Sequence, residues 1–101
     1  METLYNELEN LIKESNETYF RLNNLVYEEE QNSPENFESS KLSKLKFNRW
    51  QFIHDYAEEV SNFILNNINQ ISKKELPLFD LVPYIVWNKI PEKSIIIIRK
   101  I

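Results

Sequence analysis

The chain has no glycine, no cysteine, one histidine and one methionine among its 101 residues. Each absence closes a class of function. Phosphate cradles of the P-loop or dinucleotide-binding kind need a residue without a Cβ so that backbone can approach the ligand, and none is available. The lack of glycine also removes the commonest helix C-cap and the tight two-residue hairpin turns, which favours long helices joined by looser connections. Without cysteine there can be neither disulfides nor a thiolate metal site, and an intracellular, cytoplasmic home is the simpler expectation.

His54 is the one histidine, so a metal site there would need carboxylates such as Asp55 and Glu58 alone. A structural or solvated His54 is expected instead. No spacing of serine, histidine and acid marks a nucleophilic triad, and the adjacent Glu58 and Glu59 fall on or near a solvated helix face as solubilising charge. The chain is therefore expected to be no enzyme and to carry no cofactor and no metal. No apolar run approaches the eighteen or so residues that span a membrane, and the first residues lack a signal-peptide pattern. A soluble protein with no membrane partner is the expectation.

What is present is a helical pattern with a wide apolar face. With Ile53 at the zero of a helical wheel, Leu42, Leu45, Trp50, Phe52, Tyr56, Ala57, Val60, Phe63, Ile64, Ile68 and Ile71 fall in one arc of roughly 160°. A coiled-coil seam is narrower, so this helix, spanning about residues 40–72, is expected to pack between two neighbours. Asp55, Glu58, Asn62, Asn66 and Asn69 mark the solvated side. Lys46, Arg49 and Asn67 interrupt the arc, and Phe47 stands outside it. Asn67 is either a register-setting polar residue or the wet end of the helix.

An earlier helix is expected over about residues 2–29, with a seam of Leu4, Leu8, Leu11, Ser15, Thr18, Leu22 and Leu25 at alternating steps of four and three. Tyr5, Ile12, Tyr19 and Val26 flank that seam, while Phe20 and Tyr27 form a second stripe off it. The segment from Glu30 to Ser39 contains Ser, Asn and Pro and loses periodicity, so it is the connection. The second helix then starts at Ser33–Pro34, or at Ser39 or Ser40. A connection this short returns the second helix antiparallel to the first. Ser15 and Thr18 would then face the neighbourhood of Trp50 to Ile53. Residues 1–39 carry ten acids against Lys13 and Arg21, and residues 40–101 carry ten bases against six acids. The hairpin would thus pair Glu28, Glu29 and Glu30 with Lys41 and Lys44.

Beyond Lys74, Pro77, Pro83 and Pro91 exclude a long helix. Tyr84–Asn88 and Ser94–Ile101 are expected to form a β-hairpin, with Ile95, Ile96, Ile97 and Ile98 alternating faces in its second strand. Lys93, Arg99 and Lys100 flank that apolar run as gatekeepers. One isoleucine face would lie on the helices and the other in a partner. The expected fold is mainly α: a long antiparallel helical hairpin with a short C-terminal β-hairpin-like segment. It forms one small domain over 1–101, with the hairpin in 1–74 and the apolar tail in 75–101. This plan of long antiparallel helices and a short β segment is similar, over residues 42–98, to the helical domains of the GINS-type replication subunits. No specific motif carries the resemblance, so it transfers no residue's role.

The function expected is a protein–protein interaction or assembly module, oligomeric, with Phe52, Tyr56, Phe63, Ile95, Ile96, Ile97 and Ile98 at the interface. One rival is a nucleic-acid-associated, replication-type accessory subunit using Lys41, Lys44, Lys46 and Arg49, with Phe47 and Trp50 beside them. Another is a mobile-element-encoded inhibitor of a host enzyme, in keeping with a small acidic chain whose Asn, Ile and Lys content suggests an AT-rich genome.

Overall fold

The computed structural model describes residues 3–32 and 40–101. Helix α1 runs from Leu4 to Asn32. The Thr3 hydroxyl caps it by accepting a hydrogen bond from the Asn6 backbone N–H at 3.1 Å, which satisfies one of the donors a helix start leaves free. Helix α2 runs from Ser40 to Asn66. Of the proposed starts, Ser40 opens the observed helix, while Ser33–Pro34 and Ser39 lie outside the described residues.

Three contacts fix the relative direction of α1 and α2. Glu29 pairs with Lys41 at 3.4 Å, the Asn23 side-chain oxygen accepts from Arg49 at 3.4 Å, and that of Asn16 accepts from the Tyr56 hydroxyl at 2.8 Å. As one residue number falls the other rises, so the hairpin is antiparallel as expected. The register differs from expectation by a turn: Ser15 falls level with Ala57, and Thr18 with His54, rather than with Trp50 to Ile53. Trp50 fills no space there and is 52% exposed. The buried seam of α1 is also rotated by about one residue, to Leu8, Ile12 and Val26, with Leu25 left exposed. Near Ile12 the rotation has a cause: the C-terminal segment packs on α1 as well, so the burial maximum there lies between two neighbours and not directly opposite α2.

Helix α2 ends six residues before the expected Ser72. The Asn67 side chain donates to the Phe63 carbonyl at 2.8 Å, and the Gln70 and Ile71 N–H groups turn back onto the Asn67 carbonyl. A short amide side chain here competes with the helix for backbone partners, which is the wet-end role of the two suggested for Asn67. After this turn, the carboxylate of buried Glu75 accepts from the Ser72 N–H at 3.0 Å and from its hydroxyl at 3.2 Å. Ser72 and Glu75 thereby make the reach-back half of a capping box at the entry to the next helix.

The regular structure of the C-terminal segment is all helical, in three short pieces joined by turns, and among the described residues no strand occurs. Helices α3 (Leu76–Phe79), α4 (Tyr84–Trp87) and α5 (Glu92–Arg99) replace the expected β-hairpin. The prolines do forbid one long helix, but each introduces a short one: Pro77 sits in the first turn of α3. Pro83 and Pro91 precede α4 and α5 with φ −56° and ψ 141°, and their carbonyls accept the first helical hydrogen bonds. In α5 the isoleucines follow helical spacing: Ile95 is buried beside Ser94, Ile98 and Ile101 pack on the core, and Ile96 is exposed. A strand here would have needed a partner strand to satisfy its backbone, whereas a helix satisfies itself. Position-dependent packing on α2 overrides the β preference of the isoleucines.

Leu8 and Ile12 of α1, Ile53, Tyr56, Val60 and Ile64 of α2, and Phe79, Val86 and Ile95 of the short helices share one core. Helix α2 has its second neighbour, as its wide arc requires, because α4 and α5 pack on it in addition to α1. They reach only part of its length. The molecule measures 51 × 28 × 17 Å, and one end of the hairpin stands clear of the short helices.

Candidate interaction surface

Asn16 marks where the covered part of the hairpin ends on the α1 side. Its side chain accepts from Tyr56 of α2 and donates to the Leu81 carbonyl between α3 and α4 at 3.0 Å. One amide therefore joins α1, α2 and the C-terminal segment. Phe20, one turn further along α1, borders a surface cleft with Ile12, Asn16 and Leu81. It thus lies on the face that carries the short helices. Tyr27 lies two turns beyond it on the same stripe.

On α2 the corresponding boundary is His54. It borders a cleft with Ser61, Pro91 and Lys93, and its ring meets that of Trp50 at 4.4 Å between centroids. Trp50 in turn stacks with Phe47 at 5.8 Å and 28°. Phe47, Trp50 and His54 form a ladder at helical spacing that starts beside the first turn of α5. Phe20, Tyr27, Phe47 and Trp50 are 56%, 63%, 58% and 52% exposed. All four occupy the uncovered end of one face, with the hydrogen bond from Arg49 to Asn23 crossing between α2 and α1.

The expected interface residues lie elsewhere. Tyr56 is 1% exposed inside the chain's own core, and burial pushes its hydroxyl well above the ordinary tyrosine range. Phe52 and Phe63 are half-buried against that core, Phe52 in a tilted contact with Tyr56 at 6.0 Å. Ile95 is buried, Ile97 and Ile98 are half-buried, and only Ile96 faces out. The exposed aromatics were nonetheless visible in sequence, Phe20 and Tyr27 as a stripe off the seam and Phe47 as the apolar residue outside the arc.

The four expected nucleic-acid contacts are divided in their surroundings. Lys41 is paired with Glu29, Arg49 is half-buried and bonded to Asn23, and Lys46 is also engaged within the chain. Lys44 faces solvent. A separate open depression of about 750 Å³ lies among the short helices, lined by Leu76, Phe79, Tyr84, Trp87 and Ile98 with Lys73 and Asp80 on its margin. Tyr84 on its wall is largely exposed, so it is a shallow apolar surface and not an enclosed cavity. Among the described residues no group of three or more His, Asp or Glu converges as metal ligands. Among them, too, no helix is long and apolar enough to cross a membrane. Compared with protein-family models, curated proteins and solved structures, the chain finds no match.

Proposed function

We propose that the protein is a non-enzymatic protein-interaction module whose docking face is the uncovered hairpin end. The observation that carries this is the grouping of Phe20, Tyr27, Phe47 and Trp50, each more than half exposed, on one face. Such side chains can bury about 150–250 Å² each, so together they present roughly 350–550 Å² of aromatic surface. That equals the largest apolar patch a monomeric protein ordinarily exposes, and such a patch is often functional. Aromatic residues in such a patch are also the commonest energetic anchors of protein interfaces.

The charge around the patch supports a protein partner over nucleic acid. Phosphate binding requires an uncompensated basic stripe, and three of the four candidate bases already have partners in the chain.

The test is a photoreactive phenylalanine analogue placed at Phe47 of the full chain in the cells that express it. Expected is a protein adduct that disappears when Trp50→Glu or Tyr27→Glu is added, with no adduct from the same analogue at Asn69. Nucleic-acid adducts, or no adduct at position 47, would overturn the reading.

A further inference from the structure

We infer that the outer side of the short-helix layer, formed by α4 and α5, is a docking surface for an anionic lipid bilayer. The inference goes beyond the interaction role proposed above, because it concerns a different surface and different residues.

Charge points to it first. The chain as a whole is acidic, yet residues 73–101 carry six bases against three acids, while residues 1–72 carry six bases against thirteen. One of those three acids, Glu75, is buried in its contact with Ser72. Lys73, Lys89, Lys93, Arg99 and Lys100 are all exposed, and among the described residues none of them pairs with a carboxylate. Three of the four bases at the hairpin tip are engaged within the chain; these five are free.

The arrangement points the same way. Ser94 bonds to Ser61 of α2, and Ile95 and Ile98 pack on the core, so helical spacing turns Lys93, Ile96 and Lys100 to the outer side of α5. In α4 the buried residue is Val86, while Tyr84 is 79% exposed and Ile85 is exposed with it. Tyr84 and Trp87 of α4 border the same shallow depression as Ile98 of α5 and Lys73. The two helices therefore lie side by side, and their outer surface has Tyr84, Ile85 and Ile96 set among free bases.

That mixture selects a bilayer over another polyanion. A nucleic-acid backbone would be held by the bases alone and gains nothing from exposed isoleucines, whereas a bilayer surface uses both, with ammonium groups at the lipid phosphates and Tyr and Ile at the acyl boundary. Each kind of contact alone gives only marginal attachment. Helix α1 carries seven acids against two bases, so the same surface repels it and docking has one orientation. The contact is peripheral, since among the described residues no helix is long and apolar enough to cross a membrane. The expectation of no membrane partner rests on the lack of a spanning run, which leaves surface docking open.

The test is cosedimentation of the full chain with phosphatidylcholine vesicles prepared with and without phosphatidylserine. Binding is expected only where phosphatidylserine is present, and it should weaken as salt is added. A base at such a surface changes affinity about fivefold, so Lys93→Glu/Lys100→Glu should weaken binding roughly 25-fold or more. Lys13→Glu/Arg21→Glu makes the same change in net charge on α1 and should stay within about twofold of the parent chain. Tyr84→Ser/Ile96→Ser keeps every charge and should weaken binding about threefold to tenfold. All six positions are exposed, so an unchanged far-UV circular dichroism spectrum is expected of each variant. Failure to sediment with phosphatidylserine vesicles at low salt would overturn the inference, as would equal weakening by the two charge variants. Binding that survives Tyr84→Ser/Ile96→Ser and is displaced by duplex DNA would show a general polyanion site instead, and would overturn it too.

Discussion

The hydroxyls of Ser61 and Ser94 lie 2.6 Å apart, and both side chains are buried where α5 meets α2. Replacing Ser94 with Ala leaves the Ser61 hydroxyl in an apolar contact without its partner. An unsatisfied buried hydroxyl costs about 1–3 kcal/mol. Ser61 can recover part of that by turning onto a carbonyl one turn earlier in α2, which brings the expected loss to about 1–2 kcal/mol for Ser94→Ala. Ser61→Ala should cost a similar amount. The double variant orphans nothing, keeps the volume nearly constant and places a better helix former at both positions, so its cost should fall to about 0–1 kcal/mol. The assay is urea unfolding followed by far-UV circular dichroism, with all chains at one concentration so that self-association does not enter the comparison. In a domain of this size each kcal/mol moves the midpoint of thermal unfolding by roughly 4–8 °C. If the double variant loses as much as the two single variants together, the hydroxyls are not each other's buried partners and the seating of α5 on α2 is wrong.

Asn16→Ala removes the acceptor of the buried Tyr56 hydroxyl and the donor to Leu81, and should cost about 2–3 kcal/mol in the same assay. Tyr56→Phe should cost about 1 kcal/mol near neutral pH. Burial pushes its hydroxyl above the ordinary tyrosine value of 10.0, so the folded chain keeps the proton after the unfolded chain has lost it. The stability is fully present below pH 10 and declines as pH rises beyond it. A Tyr56→Phe chain should decline less steeply there, and parallel pH profiles for the two chains would show that Tyr56 is not buried. Glu75→Ala, which strips the Ser72 N–H of its acceptor, should lower the unfolding free energy by about 1–2 kcal/mol. Ala57→Leu, at a buried position level with Ser15, should overpack α1 against α2 and cost about 1–3 kcal/mol. A neutral result there would contradict the register.

The long elements were legible because their information is local and redundant. A face of apolar residues at helical spacing names a helix wherever it lies, and the Glu29–Lys41 pair follows from opposite charge blocks joined by a short connection. The capping pair Ser72 and Glu75 was also written in the sequence as Ser-x-x-Glu, a signal that goes unused when the preceding helix is extended across it. The tail was misread for a different reason. Four consecutive isoleucines carry no periodicity, and β-branching then tips the reading toward a strand. What decides the case is non-local: α2 offers Ser61 as a buried partner for Ser94, and no second strand exists among the described residues to pair with.

The candidate interface was misplaced by a related limit. A helical wheel reports how wide an apolar face is but not how far along the helix a neighbour extends. Length supplies the missing quantity. Helix α2 has 27 residues and is about 40 Å long, while the helices that cover its second side have 4 and 8 residues and reach about 6 and 12 Å. Even laid end to end they could cover less than half of it. Some part of the wide arc must therefore emerge uncovered, and the chain order decides which part. The tail leaves α2 at its C-terminal end and turns back over Ile64, Val60 and Ser61, so Phe52, Tyr56 and Phe63 are taken into the core or lie against it. The N-terminal end of α2, with Phe47 and Trp50, is beyond its reach. Because α1 is antiparallel, the stripe opposite that end is its C-terminal half, where Phe20 and Tyr27 stand exposed. The exposed aromatic face is thus a consequence of a hairpin longer than the tail that packs on it.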